Sequence, residues 1–235
     1  MTYCVSDIHG EYDLFLRMLE KIRFSDSDRI IICGDIIDKG TQSVRLLKLI
    51  SGMKNAVAIN GNHEYTFLKL YWGLMRESPD GFDYVLKKLR EYFPDDGHLL
   101  DWETVDWVET RPYYIEEEDF VCVHAGAPVD GNNRLLPLEQ ATREQLVYDR
   151  NFKSPDLVVR DSKCVLFGHT PTSYLLNGRD AIIGYRREGA RRDIRGQYNI
   201  GDYYKVHLDT GTWLNGVLGC FCIDSCTAVY VKKQK

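Results

Sequence analysis

The chain opens with three short apolar runs, each followed by a stretch whose apolar residues recur at helical spacing. Thr2–Ser6 is a short strand candidate, and Glu11–Ile22 carries Leu14, Phe15, Met18, Leu19 and Ile22 at the spacing of one helical face. Arg29–Cys33 is a continuous apolar run that stops at Gly34, and Val44, Leu46, Leu47 and Ile50 give a second helical stripe. Ala56–Ile59 and a helix from about Glu64 complete a β-α-β-α-β-α order, which predicts a sheet covered by helices. Tyr65–Glu109 reads as mainly helical, with a break at Pro94-Asp95-Asp96-Gly97. Tyr113–Glu116 and Phe120–Val123 flank an acidic turn as a strand pair. A Gly-, Pro- and Asn-rich loop after His124 leads to a short helical piece ending near Arg150. Lys163–Phe167 and Tyr204–Leu208 are further strands, and Val217–Ile223 with Thr227–Val231 forms a closing hairpin. Between Asn177 and Asp202 runs a long polar connection carrying Arg179, Arg186, Arg187, Arg191, Arg192 and Arg195.

Composition narrows the class. With 235 residues, 44% hydrophobic and 28% charged, the chain suits one large α/β domain or two small ones and is not a disordered polypeptide. A net charge of −5 makes nucleic acid a poor partner, since binding it rests on cationic surface. No basic and apolar leader precedes the first strand, and no apolar run is long enough to span a bilayer, so no membrane partner is expected. Cys4, Cys33, Cys122 and Cys164 sit inside β-branched runs as small core hydrophobes, and Cys220, Cys222 and Cys226 lack zinc-site spacing. An odd number of cysteines without a secretory signal points to reduced thiols and a cytoplasmic protein.

The chemistry stands at the ends of the apolar runs. Asp7-Ile8-His9-Gly10 follows the first, Gly34-Asp35-Ile36-Ile37-Asp38 the second and Asn60-Gly61-Asn62-His63-Glu64 the third. His124-Ala125-Gly126 follows Phe120–Val123, and Gly168-His169-Thr170 follows Lys163–Phe167. Each turn alone is an ordinary helix cap or loop. Together, five strand ends deliver Asp, Asn and His to the edge where open α/β sheets bind ligands. A mixed carboxylate, imidazole and amide donor set suits Mn²⁺, Fe or Zn²⁺ better than Mg²⁺ or Ca²⁺. A carboxylate such as Asp35 is the natural bridge between two ions.

In this order the turns resemble the phosphoprotein phosphatase family of metallophosphoesterases, whose pattern is GDxHG, GDxxDRG, GNHE, H-[AG]-[GD] and GH[TQ]. The likeness runs from Asp7 to about Gly211 and is nearest to small bacterial and bacteriophage serine/threonine protein phosphatases, which also carry Leu-Asp-Thr-Gly, as at Leu208–Gly211. It implies a calcineurin-like α/β fold, a two-sheet β-sandwich flanked by helices, with residues 1–235 as a single catalytic domain. It further implies that Asp7, His9 and Asp35 hold one metal ion and Asp35, Asn62, His124 and His169 the other, most simply two Mn²⁺. His63 would be the general acid, Asp38 its orienting partner, and Arg150 a phosphate-gripping arginine. A metal-bridging hydroxide would attack phosphorus directly, without a covalent enzyme intermediate. His207 falls outside the matched motifs and is assigned either a structural role or that of a support behind the metal ligands.

Two positions depart from the pattern. Ser6 replaces the first glycine, and Lys39 stands where the family has arginine, exchanging a bidentate phosphate fork for a flexible point charge. Lys39 is therefore either a looser substrate contact or a surface residue facing solvent.

Three functions follow. The first is a serine/threonine, or dual-specificity, protein phosphatase acting on phosphorylated protein or peptide. The second is a dinucleoside polyphosphate hydrolase like the symmetrical diadenosine tetraphosphatases; Asp38, and GNHE in place of GNHD, weigh against it. The third is a non-catalytic phosphate binder, which the full donor set with His63 and Asp38 opposes. The arginine-rich connection is either a solvated loop or a cover over the metal site that recruits acidic substrates.

Overall fold

The computed structural model describes residues 1–93, 97–188, 194 and 198–234. Its strands in chain order are β1 (Thr2–Val5), β2 (Arg29–Cys33), β3 (Ala56–Ile59), β4 (Tyr114–Glu116), β5 (Phe120–Val123), β6 (Cys164–Phe167), β7 (Ile183–Arg186), β8 (Tyr203–His207), β9 (Val217–Cys222) and β10 (Thr227–Lys232). The helices are α1 (Tyr12–Lys21), α2 (Ser43–Gly52), α3 (Asn62–Glu77), α4 (Phe82–Glu91), α5 (Trp102–Glu109), α6 (Arg143–Tyr148) and the short α7 (Thr212–Asn215).

The strands form two five-stranded sheets, ordered β10-β9-β1-β2-β3 and β4-β5-β6-β8-β7. Each has a parallel run, β1-β2-β3 in one and β5-β6-β8 in the other, with antiparallel strands beyond β1 alone in the first sheet and on both sides in the second. The period-2 alternation of side chains builds the layers. In the first sheet Cys4, Ile31, Cys33 and Ile59 face the second, while Val5, Ile30, Ile32 and Ala58 face α1 and α2. In the second sheet Cys122, Cys164 and Leu166 point inward, and Val121, Val123, Val165 and Phe167 pack outward against Leu146, Val147 and Phe152. The architecture is the expected α/β fold, a two-sheet sandwich with helices outside. All seven cysteines are buried and free. Among the described residues no helix is long and apolar enough to cross a membrane.

The polar connection after Asn177 is not a loop throughout, because Ile183–Arg186 pairs with β8 as an edge strand. Gly184 hides it in the sequence, and the structure explains that glycine: a Cβ there would stand 2.5 Å from the Tyr203 ring. Arg187 donates to the carbonyls of Ser162 and Lys163, just ahead of β6, whereas His169 follows the other end of that strand. Arg186 lies over the Tyr198 ring at 4.3 Å. These two arginines are therefore not a cover over the His169 turn; Arg191, Arg192 and Arg195 fall outside the described residues. The long helical region divides earlier than expected, at Ser78–Gly81, where Gly81 N–H closes a turn onto Ser78. Of the break expected at Pro94–Gly97, only Gly97 is described, with φ of 77°.

Lys205 is the least expected core residue. It is fully buried in β8, and its ammonium donates to the carbonyls of Phe152, Ser154 and Leu157 at 2.9, 2.6 and 2.9 Å. A charge is tolerated in such a place only when hydrogen-bonded. Here it ties down the segment that follows Arg150.

Candidate active site

The parallel runs of both sheets deliver their turns to one end of the sandwich. His169 N–H donates to Asp7 Oδ2 at 2.9 Å, and the His124 Nδ1 faces the Cys33 carbonyl at 2.9 Å, so each bond joins one sheet to the other. The turns are strained. Among the described residues ten non-glycine positions have positive φ, and six of them, Asp7, His9, Asp35, Asp38, Lys39 and His169, lie here. Such backbone is costly and persists where neighbours over-determine it.

Glu64 does much of that determining. Its buried carboxylate accepts from the backbone N–H groups of Asp35, Ile36 and Gly61 at 2.8 Å and of Ile37 at 3.1 Å. It clamps the Asp35 turn to the start of α3. Glycine is needed at the close approaches: a Cβ on Gly61 would stand 2.3 Å from Asp35 Oδ1, and one on Gly168 2.2 Å from Asp7 Oδ2.

The six expected donors split into a convergent set and its supports. His9, Asp35 and His63 bring side-chain atoms within 4.8 Å of one another, as do Asp35, His124 and His169. Asp35 belongs to both groups, the position a bridging carboxylate needs. Its Oδ2 lies 3.4 Å from His124 Nε2 and 3.7 Å from His9 Nε2. Asp7 Oδ1 stands 3.9 Å from His9 Nε2. Asn62 Oδ1 meets His124 Nε2 at 3.0 Å and His169 Nδ1 at 2.8 Å. Two rings are oriented by carbonyls: Ile37 holds His9 Nδ1 at 3.0 Å and Cys33 holds His124 Nδ1, leaving each Nε2 turned toward the carboxylates. That is how metal-ligating histidines are fixed. The donor set thus fits a pair of divalent ions. His207, by contrast, is buried against Phe167, ring on ring at 4.4 Å, outside the convergent set.

Electrostatics separates the histidines. Burial opposes charge on His124, but the carboxylate of Asp35 overrides it and raises the ring to about 10. Burial and the charge of His124 push His169 down to about 3. His63 is also opposed by burial, yet its bond to Asp38 and the charge of Asp35 raise it above the ordinary histidine range. That bond is short, Nδ1 to Asp38 Oδ2 at 2.6 Å, and His63 Nε2 faces Asp35 Oδ2 at 3.9 Å. His63 occupies the first turn of α3, whose N-terminal dipole favours anions in front of it.

Tyr92 is a partner that the sequence pattern did not reveal: its hydroxyl donates to the same Asp38 oxygen at 2.9 Å. Nothing in its local pattern distinguishes it from a core aromatic. Ser43 was missed for the same reason; its hydroxyl accepts from the Asp38 N–H at 3.1 Å.

Beside the donors opens a cavity of about 230 Å³, lined by His9 and His169 and by Lys39, Arg150, Lys153 and Trp213 among others. Arg150, the sequence's candidate phosphate contact, thus lies on the cavity wall. Lys39 does not face away: its Nζ stands 3.1 Å from His9 Nε2.

The profile of the calcineurin-like phosphoesterase family matches residues 2–204. The chain is 35% identical to the symmetrical bis(5'-nucleosyl)-tetraphosphatase of Methylococcus capsulatus over 129 residues, 54% of this chain and 43% of that protein. It is 29% identical to the enzyme of the same name from Aggregatibacter actinomycetemcomitans over 133 residues, 55% of this chain and 45% of that protein. It spans less than half the length of these relatives. A crystal structure of a candidate diadenosine tetraphosphatase superposes with a TM-score of 0.67 at 18% identity, covering 99% of this chain and 93% of that one. These names differ from the protein phosphatases that Asp38 and the Gly-Asn-His-Glu turn favoured in the sequence. In the fold the Glu64 carboxylate faces backbone amides and is not part of the cavity lining.

Proposed function

The chain belongs to the calcineurin-like phosphoesterases, and we propose that within this family it is a metal-dependent hydrolase of dinucleoside polyphosphates, with residues 1–235 as one cytoplasmic catalytic domain. The observation that carries the reading is the cavity wall. Lys39, Arg150 and Lys153 bring three positive charges to it against the single carboxylate of Asp209. That balance matches a run of phosphates better than the one phosphate of a simple ester. The names of the curated relatives point the same way.

In this proposal Asp7, His9 and Asp35 hold one divalent ion and Asp35, Asn62, His124 and His169 the other, with Mn²⁺ the ion chosen. Bound there, the pair supplies an activated water and neutralises phosphoryl charge. The chain's own groups do the rest. Lys39, Arg150 and Lys153 hold the phosphates beside the donors. Asp38 accepts from His63 Nδ1, so the proton that the raised pKa keeps on Nε2 is the one given to the leaving oxygen.

The same His63–Asp38 pair favours a second reading, hydrolysis of phosphoserine or phosphothreonine esters. An alkoxide leaving group needs a proton, whereas a nucleoside diphosphate departs well without one. Steady-state kinetics of the Mn²⁺-loaded protein decide between them. The proposal expects a higher kcat/KM for diadenosine tetraphosphate than for a phosphoserine peptide, with two ADP as products. A preference of tenfold or more for the peptide would replace it with the second reading.

A further inference from the structure

We propose that Trp213, on the cavity wall it shares with Tyr174, is a stacking site for a nucleobase, placed beside the phosphate-binding cations; it rests on the dinucleoside polyphosphate reading. Two aromatic side chains line the cavity while remaining open to solvent, Trp213 at 50% and Tyr174 at 69% exposure. Neither is needed there for packing. A half-bare indole at the mouth of a cationic cavity is unfavourable in water and favourable against a flat π system.

The two rings sit on segments that are fixed to each other. Thr172 N–H donates to the Asp209 carbonyl at 2.8 Å, which joins the Tyr174 turn to the loop leading into α7. Asn215 Nδ2 donates to Ser173 Oγ at 3.3 Å and to Asp180 Oδ1 at 2.6 Å. Asp209 Oδ1 in turn accepts from Gly211 N–H at 2.8 Å, and Gly211 has a φ of 74°, a conformation that favours glycine. The platform is thus held before any ligand arrives, which keeps the ordering cost of binding low.

Lys39 links the platform to the chemistry. One ammonium group lies 5.7 Å from the centroid of the Trp213 ring and 3.1 Å from His9 Nε2. A nucleotide whose phosphate is held by Lys39 beside the donors can therefore bring its base to the indole. Stacking of this kind tolerates any base, because each has a π face. The site is expected to select nucleotides over bare polyphosphate without choosing strongly among adenine, guanine and the pyrimidines.

The test uses the Mn²⁺-loaded full chain, diadenosine tetraphosphate and inorganic tetrapolyphosphate, which has the phosphates and no base. Trp213→Ala should raise the ratio of the two KM values about tenfold, and Trp213→Phe should restore most of it. Equal effects of Trp213→Ala on both substrates, or none, would overturn the proposal. A second measurement does not depend on turnover. AMP should quench tryptophan fluorescence of the wild-type protein, inorganic phosphate should not, and most of the AMP quench should vanish in Trp213→Phe. An AMP quench that persists in Trp213→Phe, or none in the wild type, would also overturn it. If phosphomonoesters prove to be the substrates, the preceding reading fails on its own, and the AMP titration still decides the fate of the stacking site.

Discussion

The floor of the site and its rim are built on opposite principles. On the floor, Asp7, His9, Asp35 and His124 are buried, their backbones are held in positive-φ turns or by neighbouring amides, and Glu64 spends its whole carboxylate on backbone N–H groups. On the rim, Lys39, Arg150, Tyr174 and Trp213 are exposed. The floor fixes where the reacting atoms go, and an error there costs everything. The rim only adds attraction, so each residue contributes a graded share. The comparison teaches where this protein is free to change substrate, and each prediction below is a way to break it.

The largest effect should come from the floor itself. Asp35→Ala removes the one carboxylate shared by both donor groups. Turnover should fall below detection on every substrate, and titration calorimetry with Mn²⁺ should lose at least one site. Chelation should do the same to the wild type, reversibly. Retained turnover with intact Mn²⁺ binding would mean that the donors converge without serving as a metal centre. His63→Asn comes next, with kcat on a phosphoserine peptide lowered roughly 10²–10⁴-fold. Diadenosine tetraphosphate and p-nitrophenyl phosphate, whose leaving groups need little protonation, should lose much less. Uniform loss across the three would remove His63 as the proton donor.

That division also marks what was legible in the sequence. The floor could be read because its chemistry sits in turns directly after apolar runs: Asp-Ile-His-Gly, Gly-Asn-His-Glu and Gly-His-Thr each interrupt a pattern that is otherwise regular. Strands such as Arg29–Cys33 and Ala56–Ile59 were visible for the same reason. The rim was not. Trp213 and Tyr174 look like core aromatics in a one-dimensional pattern, and only their exposure in the fold sets them apart. Lys205 looks like an outward-facing strand residue, yet it is buried against three carbonyls contributed from about fifty positions earlier in the chain. Glu64 was visible as part of its motif, but its role as a clamp on the Asp35 turn was not.

Rim effects should be smaller and should appear in KM. Lys39→Ala removes one of three cations from the cavity wall and should raise KM for diadenosine tetraphosphate roughly tenfold, with kcat changed by less than a factor of about three. Lys39→Arg should keep the charge and most of the affinity. A loss confined to kcat in Lys39→Ala would move this lysine from the rim to the floor, through its contact with His9. Lys205→Met tests the scaffold beneath the rim. It leaves the carbonyls of Phe152, Ser154 and Leu157 without this donor and should cost about 1–3 kcal/mol of stability by chemical denaturation. An unchanged denaturation midpoint would show that the segment after Arg150 is held by other contacts.

The smallest effect belongs to the border between the two regions. Tyr92 sits just past the end of α4, touches no cavity atom that holds phosphate, and donates to the Asp38 oxygen that also receives His63. Its hydroxyl limits where the carboxylate can swing, and through it where His63 points. Tyr92→Phe keeps the ring in its contacts with Phe67 and Phe93, so the change isolates one hydrogen bond. Such a bond is worth about 1 kcal/mol, which corresponds to a roughly fivefold fall in kcat for a phosphoserine peptide with KM unmoved. A substrate that does not need the proton should hardly register the change. If instead KM rose and kcat held, Tyr92 would act through substrate binding, and the line drawn between floor and rim would have to pass on the other side of Asp38.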